Sequence, residues 1–157
     1  LQKLLEQNNI KVVMTRDTDQ GLYSDGATNK KAEDMQTRCK IIEDSDALFT
    51  VSIHQNSYTS PEIQGAQVFY YGQSETGKKL AETLQSALIE QVNPDNHREA
   101  KANESYYLLK KTPTPTVIVE CGFLSNPAEA ELLLQEEYQD KLVNAIYSGI
   151  ETYLGSL

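Results

Sequence analysis

Cysteine and histidine are both scarce in this chain, with two of each in 157 residues. Two cysteines, Cys39 and Cys121, cannot build a disulfide framework, so a small stapled fold is excluded and the redox compartment stays open. Positive charge is short as well: 14 Lys and Arg against 23 Asp and Glu give a net charge of -9. That balance excludes nucleic acid and an anionic membrane surface as partners, since both require clustered basic residues. Long apolar runs are missing, so no segment reads as a bilayer-spanning helix. No internal repeat, low-complexity tract or signal peptide is visible in these residues. The chain opens at Leu1 without a methionine. It therefore reads as a mature or trimmed product, and the missing signal says nothing about export.

What the sequence does have is a pair of short β-branched runs that each end in an ionisable residue. Thr50-Val51-Ser52-Ile53 leads into His54-Gln55-Asn56, and Thr116-Val117-Ile118-Val119 leads into Glu120-Cys121-Gly122-Phe123. Such runs predict strands buried on both faces, as in a parallel sheet. Ligands of open α/β sheets bind beyond the carboxyl ends of the strands, which puts His54 and Glu120 on one sheet edge. Further strands are expected over 10–15 (IKVVMT), 65–71 (GAQVFYY) and 106–109, with the central strand over 47–53. Residues 20–29 and 56–64 read as loops, and 97–105 as irregular.

Helices alternate with these strands. Ala32, Met35, Cys39 and Ile42 recur at helical spacing within 30–44, and Leu80, Leu84, Ala87, Leu88 and Val92 form a stripe after the capping residue Ser74. Asn126, Pro127 and Glu129 make a helix start, with Asn126 as cap, Pro127 at the first helical position and Glu129 where a capping-box acid belongs. Tyr138, Leu142, Ala145, Ile146, Gly149, Ile150 and Tyr153 mark a final amphipathic helix. Residues 1–7 resemble the last turns of a helix. The whole predicts one α/β domain over 1–157, a three-layer α/β/α arrangement around a largely parallel twisted sheet.

Each candidate residue has a plain reading and a chemical one. His54 is either a hydrogen-bonded structural histidine or a metal ligand through a neutral ring nitrogen, with Ser52 and Asn56 placed to orient the ring or a ligand. Glu120 is either half of an ion pair or a general acid/base, because a buried carboxylate without a partner costs several kcal/mol. A Cys121–His54 nucleophilic pair must be weighed, but side chains alternate along a strand. If Glu120 faces a site, Cys121 faces the packing. Arg38, Arg98 and Lys101 are surface charges singly; together they could steer an acidic substrate. His97, among polar neighbours, reads as a surface residue.

The combination of SIHQN and VECGFLSNP, joined by GAQVFYY and preceded by VVMTRDTD and an Arg-bearing helix, resembles the zinc-dependent N-acetylmuramoyl-L-alanine amidases. Within them it is most similar to the cell-wall group that includes spore-cortex enzymes, and the likeness runs from Val12 to Leu154. The resemblance implies a hydrolase of the amide between N-acetylmuramic acid and the L-alanine of the peptidoglycan stem peptide, secreted or cell-wall associated. It implies one Zn²⁺, with His54 as one ligand, and Glu120 as the catalytic carboxylate. Asn56, Arg98 and Lys101 are expected to contact substrate, and a regulatory protein partner is left open. The family's other two zinc ligands, from a His-Gly-Gly turn and a helix-opening Glu, have no counterpart here. The chain as written is therefore expected to be an N-terminally incomplete catalytic domain that is metal-poor and inactive. Two other readings stand beside this one: a metal-free peptidoglycan-binding module, and a zinc carboxypeptidase-like hydrolase of another peptide.

Overall fold

All eight residues of Thr116–Phe123 are buried, and the rest of the sheet is laid out around this strand. In the computed structural model, which describes Leu1–Leu157, the elements run α1 (Gln2–Gln7), α2 (Lys30–Asp44), β1 (Thr50–Asn56), β2 (Gln67–Tyr70) and α3 (Glu75–Gln91). They continue with β3 (Lys101–Ala102), α4 (Tyr107–Lys111), β4 (Thr116–Phe123), α5 (Pro127–Leu133) and α6 (Glu136–Leu154). The four strands lie in the order β1-β4-β2-β3. β1 runs parallel to β4 and β3 parallel to β2, while β2 is antiparallel to β4.

Alternation along β4 assigns its two faces. Val117, Val119 and Cys121 join Val68 in the larger core, with Leu80, Leu84 and Leu88 of α3 and Ala145, Ile146 and Ile150 of α6. Each such Leu or Ile contributes about 1.5–3 kcal/mol on burial. On the other face, Ile118 and Phe69 pack with Leu109 of α4, and α2 lies against α4. Helices thus cover both faces of a mostly parallel sheet, the three layers that the alternating pattern predicts. Two helix starts follow the predicted caps, Ser74 and Asn126 accepting from Gly77 N and Glu129 N, and Asn29 caps α2 by accepting from Ala32 N.

Four local expectations are corrected. Residues 10–15 form no strand; Ile10 and Val12 pack on the core, but Val13 and Met14 are 46% and 47% exposed and make no ladder. β propensity needs a partner edge, and this segment pairs with none. β1 starts at Thr50 rather than 47 and is an edge strand, with Ile53 46% exposed; the central position belongs to β4. Residues 106–109 turn into helix α4, not a strand. Asn103 Oδ1 accepts from Ser105 N and Tyr106 N, which turns the chain, and the Leu and Lys that follow favour a helix and lack β-branching. The irregular 97–105 segment contains the short strand β3.

Candidate active site

The parallel register of β1 on β4 sets His54 opposite Glu120. The antiparallel register of β2 on β4 sets Gln67 opposite the same Glu120. Partners in register project from the same sheet face, so imidazole, carboxylate and amide stand in a row across three strands. They share the face of Ile118 and Phe69, away from the α3/α6 core. Beyond the row a β-bulge intervenes: His54 pairs with Glu120, but Asn56 pairs with Phe123. The extra residue on β4 re-aims Phe123 towards the Glu120 side, where Arg98 meets its ring.

Glu120 is only 8% exposed, and its Oε2 is sealed from water without a hydrogen-bond partner. Burial raises its pKa above the ordinary carboxylate value. The ion-pair reading therefore fails for this residue, since none of the salt bridges in the chain includes it. A buried carboxyl with its pKa raised by desolvation is compatible with a general acid/base.

His54 projects from the exposed strand edge, and Ser52 Oγ lies 2.8 Å from its Nε2. Ser52 and His54 are two residues apart on one strand and so share a face. The Nδ1 atom makes no hydrogen bond within the chain. Partial desolvation of the ring, followed by the positive charges of Arg38 and Arg16, holds its pKa below the usual histidine value. The imidazole is thus kept neutral, the form that ligates a metal or accepts a proton. Arg38 is itself fixed by Asp34 at 2.6 Å, and Asp34 also accepts from Leu22 N, tying the 20–29 loop to α2. The Arg38 guanidinium, first, holds the Asp34 carboxyl below its ordinary value.

Cys121 faces the opposite way, 3% exposed in the larger core. Burial and then the Glu120 charge push its thiol up to about 12, so no thiolate nucleophile is available there. His97 is exposed and lies outside the row.

The remaining predicted contacts sit at the rim. Asn56 ends β1; its Oδ1 accepts from Ser57 N and its carbonyl from Leu124 N. Arg98 donates from Nε to the Gln64 carbonyl at 2.6 Å and from Nη1 to Gln67 Oε1 at 3.0 Å, and lies 4.8 Å over the Phe123 ring. Lys101 is exposed on β3, in register with Phe69. Two strand spacings separate it from β4, about 10 Å, on the same face as Glu120. The structure thus gathers His54 and Glu120 at the centre, with Asn56, Arg98 and Lys101 around them.

Sequence reasoning missed Gln67, across from Glu120, and Arg16, one of the charges acting on His54. Gln67 could have been found as the one polar side chain inside an apolar run that otherwise reads as buried strand. The capping-box reading of Glu129 is corrected: its carboxylate instead accepts from Gly65 N and Phe123 N, both at 2.8 Å. That buried carboxylate ties the entrance of β2 to the end of β4, fixing both flanks of Glu120.

No three His, Cys, Asp or Glu side chains converge to hold a metal ion. His54 Nδ1 and Glu120 Oε2 are two free donors, but a catalytic zinc takes three protein ligands. The residues brought together here do not by themselves fit the ion.

A buried, unpartnered carboxyl in register with a partly desolvated imidazole at the end of parallel strands is a candidate catalytic site, and comparison with known proteins gives the class. The family model described as N-acetylmuramoyl-L-alanine amidase (Amidase_3) matches residues 1–152; the chain belongs to that family. It is 39% identical over 152 residues to the germination-specific N-acetylmuramoyl-L-alanine amidase of Bacillus subtilis, spanning 95% of this chain and 64% of that protein. Among solved structures it is similar to the CwlD amidase of Clostridioides difficile, determined in complex with the GerS lipoprotein. That match has a TM-score of 0.96, 38% identity and coverage of 99% and 81% of the two chains. AmiC2 of Nostoc punctiforme matches at a TM-score of 0.83 and 30% identity, with 98% of this chain and 78% of that one covered. The chain spans 46–64% of the length of the first curated relatives it matches.

Proposed function

We propose that this chain is the catalytic domain of a peptidoglycan amidase, cleaving the bond between the lactyl carbonyl of N-acetylmuramic acid and the amino group of L-alanine. Family membership supports the reaction class. The observation that carries the assignment of residues is the register that sets His54 beside Glu120, whose Oε2 has no hydrogen-bond partner. In this reading the Glu120 carboxylate takes a proton from the attacking water and delivers it to the departing amide nitrogen. A carboxyl with a raised pKa suits both halves of that transfer. His54, held neutral with Ser52 on Nε2, presents Nδ1 to the reaction centre. If zinc serves the reaction, as the resemblance implies, His54 is the ligand this row can offer, and further donors must complete the set. Asn56 and Lys101 form the rim against which a carboxylate-rich stem peptide lies. The relative solved with a lipoprotein supports an extracytoplasmic place of action and leaves room for a protein partner.

The test uses the full-length protein, zinc and purified muropeptides, read by mass spectrometry. Free stem peptide bearing an L-alanine amino terminus, together with a new lactyl carboxyl, is the expected product pair. Glu120→Gln should lose turnover by at least about 10²-fold, in the range of a general acid/base contribution, while still binding muropeptide. Binding without cleavage by the wild type would make the protein a wall-binding module instead, and release of a terminal amino acid would make it a carboxypeptidase.

A further inference from the structure

Gln67 is the side chain on β2 that stands directly across from Glu120, and it is 8% exposed. An amide so placed could donate to the carboxylate. It does not: Gln67 Nε2 donates to the Glu99 carbonyl at 2.9 Å, and its Oε1 accepts from Arg98 Nη1 at 3.0 Å. The orientation is dictated by chemistry, because a guanidinium only donates and a carbonyl only accepts. Arg98 is in turn held at three further points. Its Nε donates to the Gln64 carbonyl, its backbone N–H donates to Asn96 Oδ1, and its guanidinium lies over the Phe123 ring.

Asn96 is buried and donates to the Ala66 carbonyl. It packs so closely on Gly65 that a Cβ there would lie 2.5 Å from Asn96 Oδ1. Gly65 also has φ +98°, where a side chain is strained. This corner is therefore a built object, with the guanidinium at its centre and Glu120 on its inner side.

We propose that Arg98 is a positioning residue for Glu120: it fixes Gln67 and Phe123, the side chains flanking that carboxylate, and turns the Gln67 amide donor away from Oε2. The unpartnered Oε2 is then a product of the corner rather than a defect of packing. A lysine cannot replace this arginine, because one ammonium has no planar fork to serve Gln64 and Gln67 together while lying flat on a ring. The role differs from holding substrate. A guanidinium that bound stem-peptide charge would act on substrate affinity, whereas one that sets the geometry of Glu120 acts on turnover.

The catalytic half of this proposal rests on the amidase reading, so the experiment carries a readout that does not. In the full-length protein, Arg98→Met, Arg98→Lys, Gln67→Leu and the Arg98→Met/Gln67→Leu double variant are compared for muropeptide cleavage and for thermal stability. Expected are a fall in kcat of roughly 10- to 100-fold for Arg98→Met with KM changed less than about threefold, no recovery in Arg98→Lys, and a double variant no worse than Gln67→Leu alone. In ¹⁵N-labelled protein the Gln67 side-chain amide should be slow to exchange in the wild type and fast in Arg98→Met.

A rise in KM at constant kcat would overturn the proposal in favour of substrate contact. A lowered Tm with kcat per folded molecule unchanged would reduce Arg98 to a stabilising residue and overturn it as well. An unaltered Gln67 signal in Arg98→Met overturns it even if the wild type cleaves no muropeptide. Absence of wild-type cleavage with that signal altered would instead sink the amidase reading and leave the corner standing.

Discussion

Replacing Glu120 by glutamine should make the protein more stable while abolishing its proposed work. The carboxylate lies at 8% exposure with Oε2 sealed and unpartnered, and burial raises its pKa. The sign follows from linkage. A carboxyl whose folded pKa lies above its unfolded value binds protons more readily when folded. Below the unfolded value near 4.5 both states are protonated and no penalty exists. As pH rises through 4.5 towards the folded pKa the penalty grows, and above that it is constant. Glutamine has the same shape and no charge, so its advantage over glutamate should follow that curve. Only one of the two oxygens is both sealed and unpartnered, and the amide that replaces it is itself imperfectly satisfied. The net gain is therefore set at the low end of a buried unpaired group, about 1–2 kcal/mol at pH 7. For a chain of this size that corresponds to a Tm higher by about 2–8 °C. Differential scanning calorimetry of both proteins in EDTA, at pH 4, 5.5 and 7, is the measurement. Equal or lower Tm for Glu120→Gln at pH 7, or a gain as large at pH 4 as at pH 7, would refute the account of the site as a destabilised carboxyl.

Two further outcomes test the frame around the site. Gly149 is where α6 touches α3, and a Cβ there would lie 2.7 Å from Leu84 Cδ2 and 3.1 Å from the Leu84 Cα. Gly149→Ala should cost about 1–2 kcal/mol of overpacking even after the gain in helix propensity, read as a lower urea midpoint, and a stabilised variant would contradict this packing. Cys121, with its thiol pushed up to about 12 inside the larger core, should resist iodoacetamide at pH 8 in the native protein. The half-buried Cys39 should label first, and Cys121→Ala should retain muropeptide cleavage; rapid native labelling of Cys121 would place it in the site after all.

The sequence disclosed the parts of this molecule whose signals are local. Helix α2 is bounded as its apolar spacing over 30–44 predicts, because a helix satisfies its own hydrogen bonds and its signal lies within one window. β4 was legible as a buried strand because of its β-branched apolar run Thr116–Val119, although the central place was expected at 47–53. The same logic misjudged β1 and residues 10–15, since a strand's burial and even its existence depend on which neighbour it pairs with, a long-range fact absent from any window. Residues 106–109 failed for a different reason: two tyrosines and two leucines fit either structure, and Asn103, a turn residue upstream, decides between them.

The site divides along the same line. His54 and Glu120 were visible as ionisable residues that end apolar strands, a place where charge is costly and so demands an explanation. Gln67, Phe123 and Arg98 escaped as a unit because their relation is one of register and bulge. Glu120 meets Gln67 only through an antiparallel pairing, and Phe123 turns to that side only because β4 carries one residue more than β1. Chemistry-bearing residues could thus be read from composition and position, whereas the groups that hold them in place became visible only once three strands were aligned. It follows that variants at Gln67, neutral to any reading of the sequence alone, and at Arg98, read from the sequence only as a substrate contact, should perturb Glu120 more than substitutions at better-advertised residues such as Cys121.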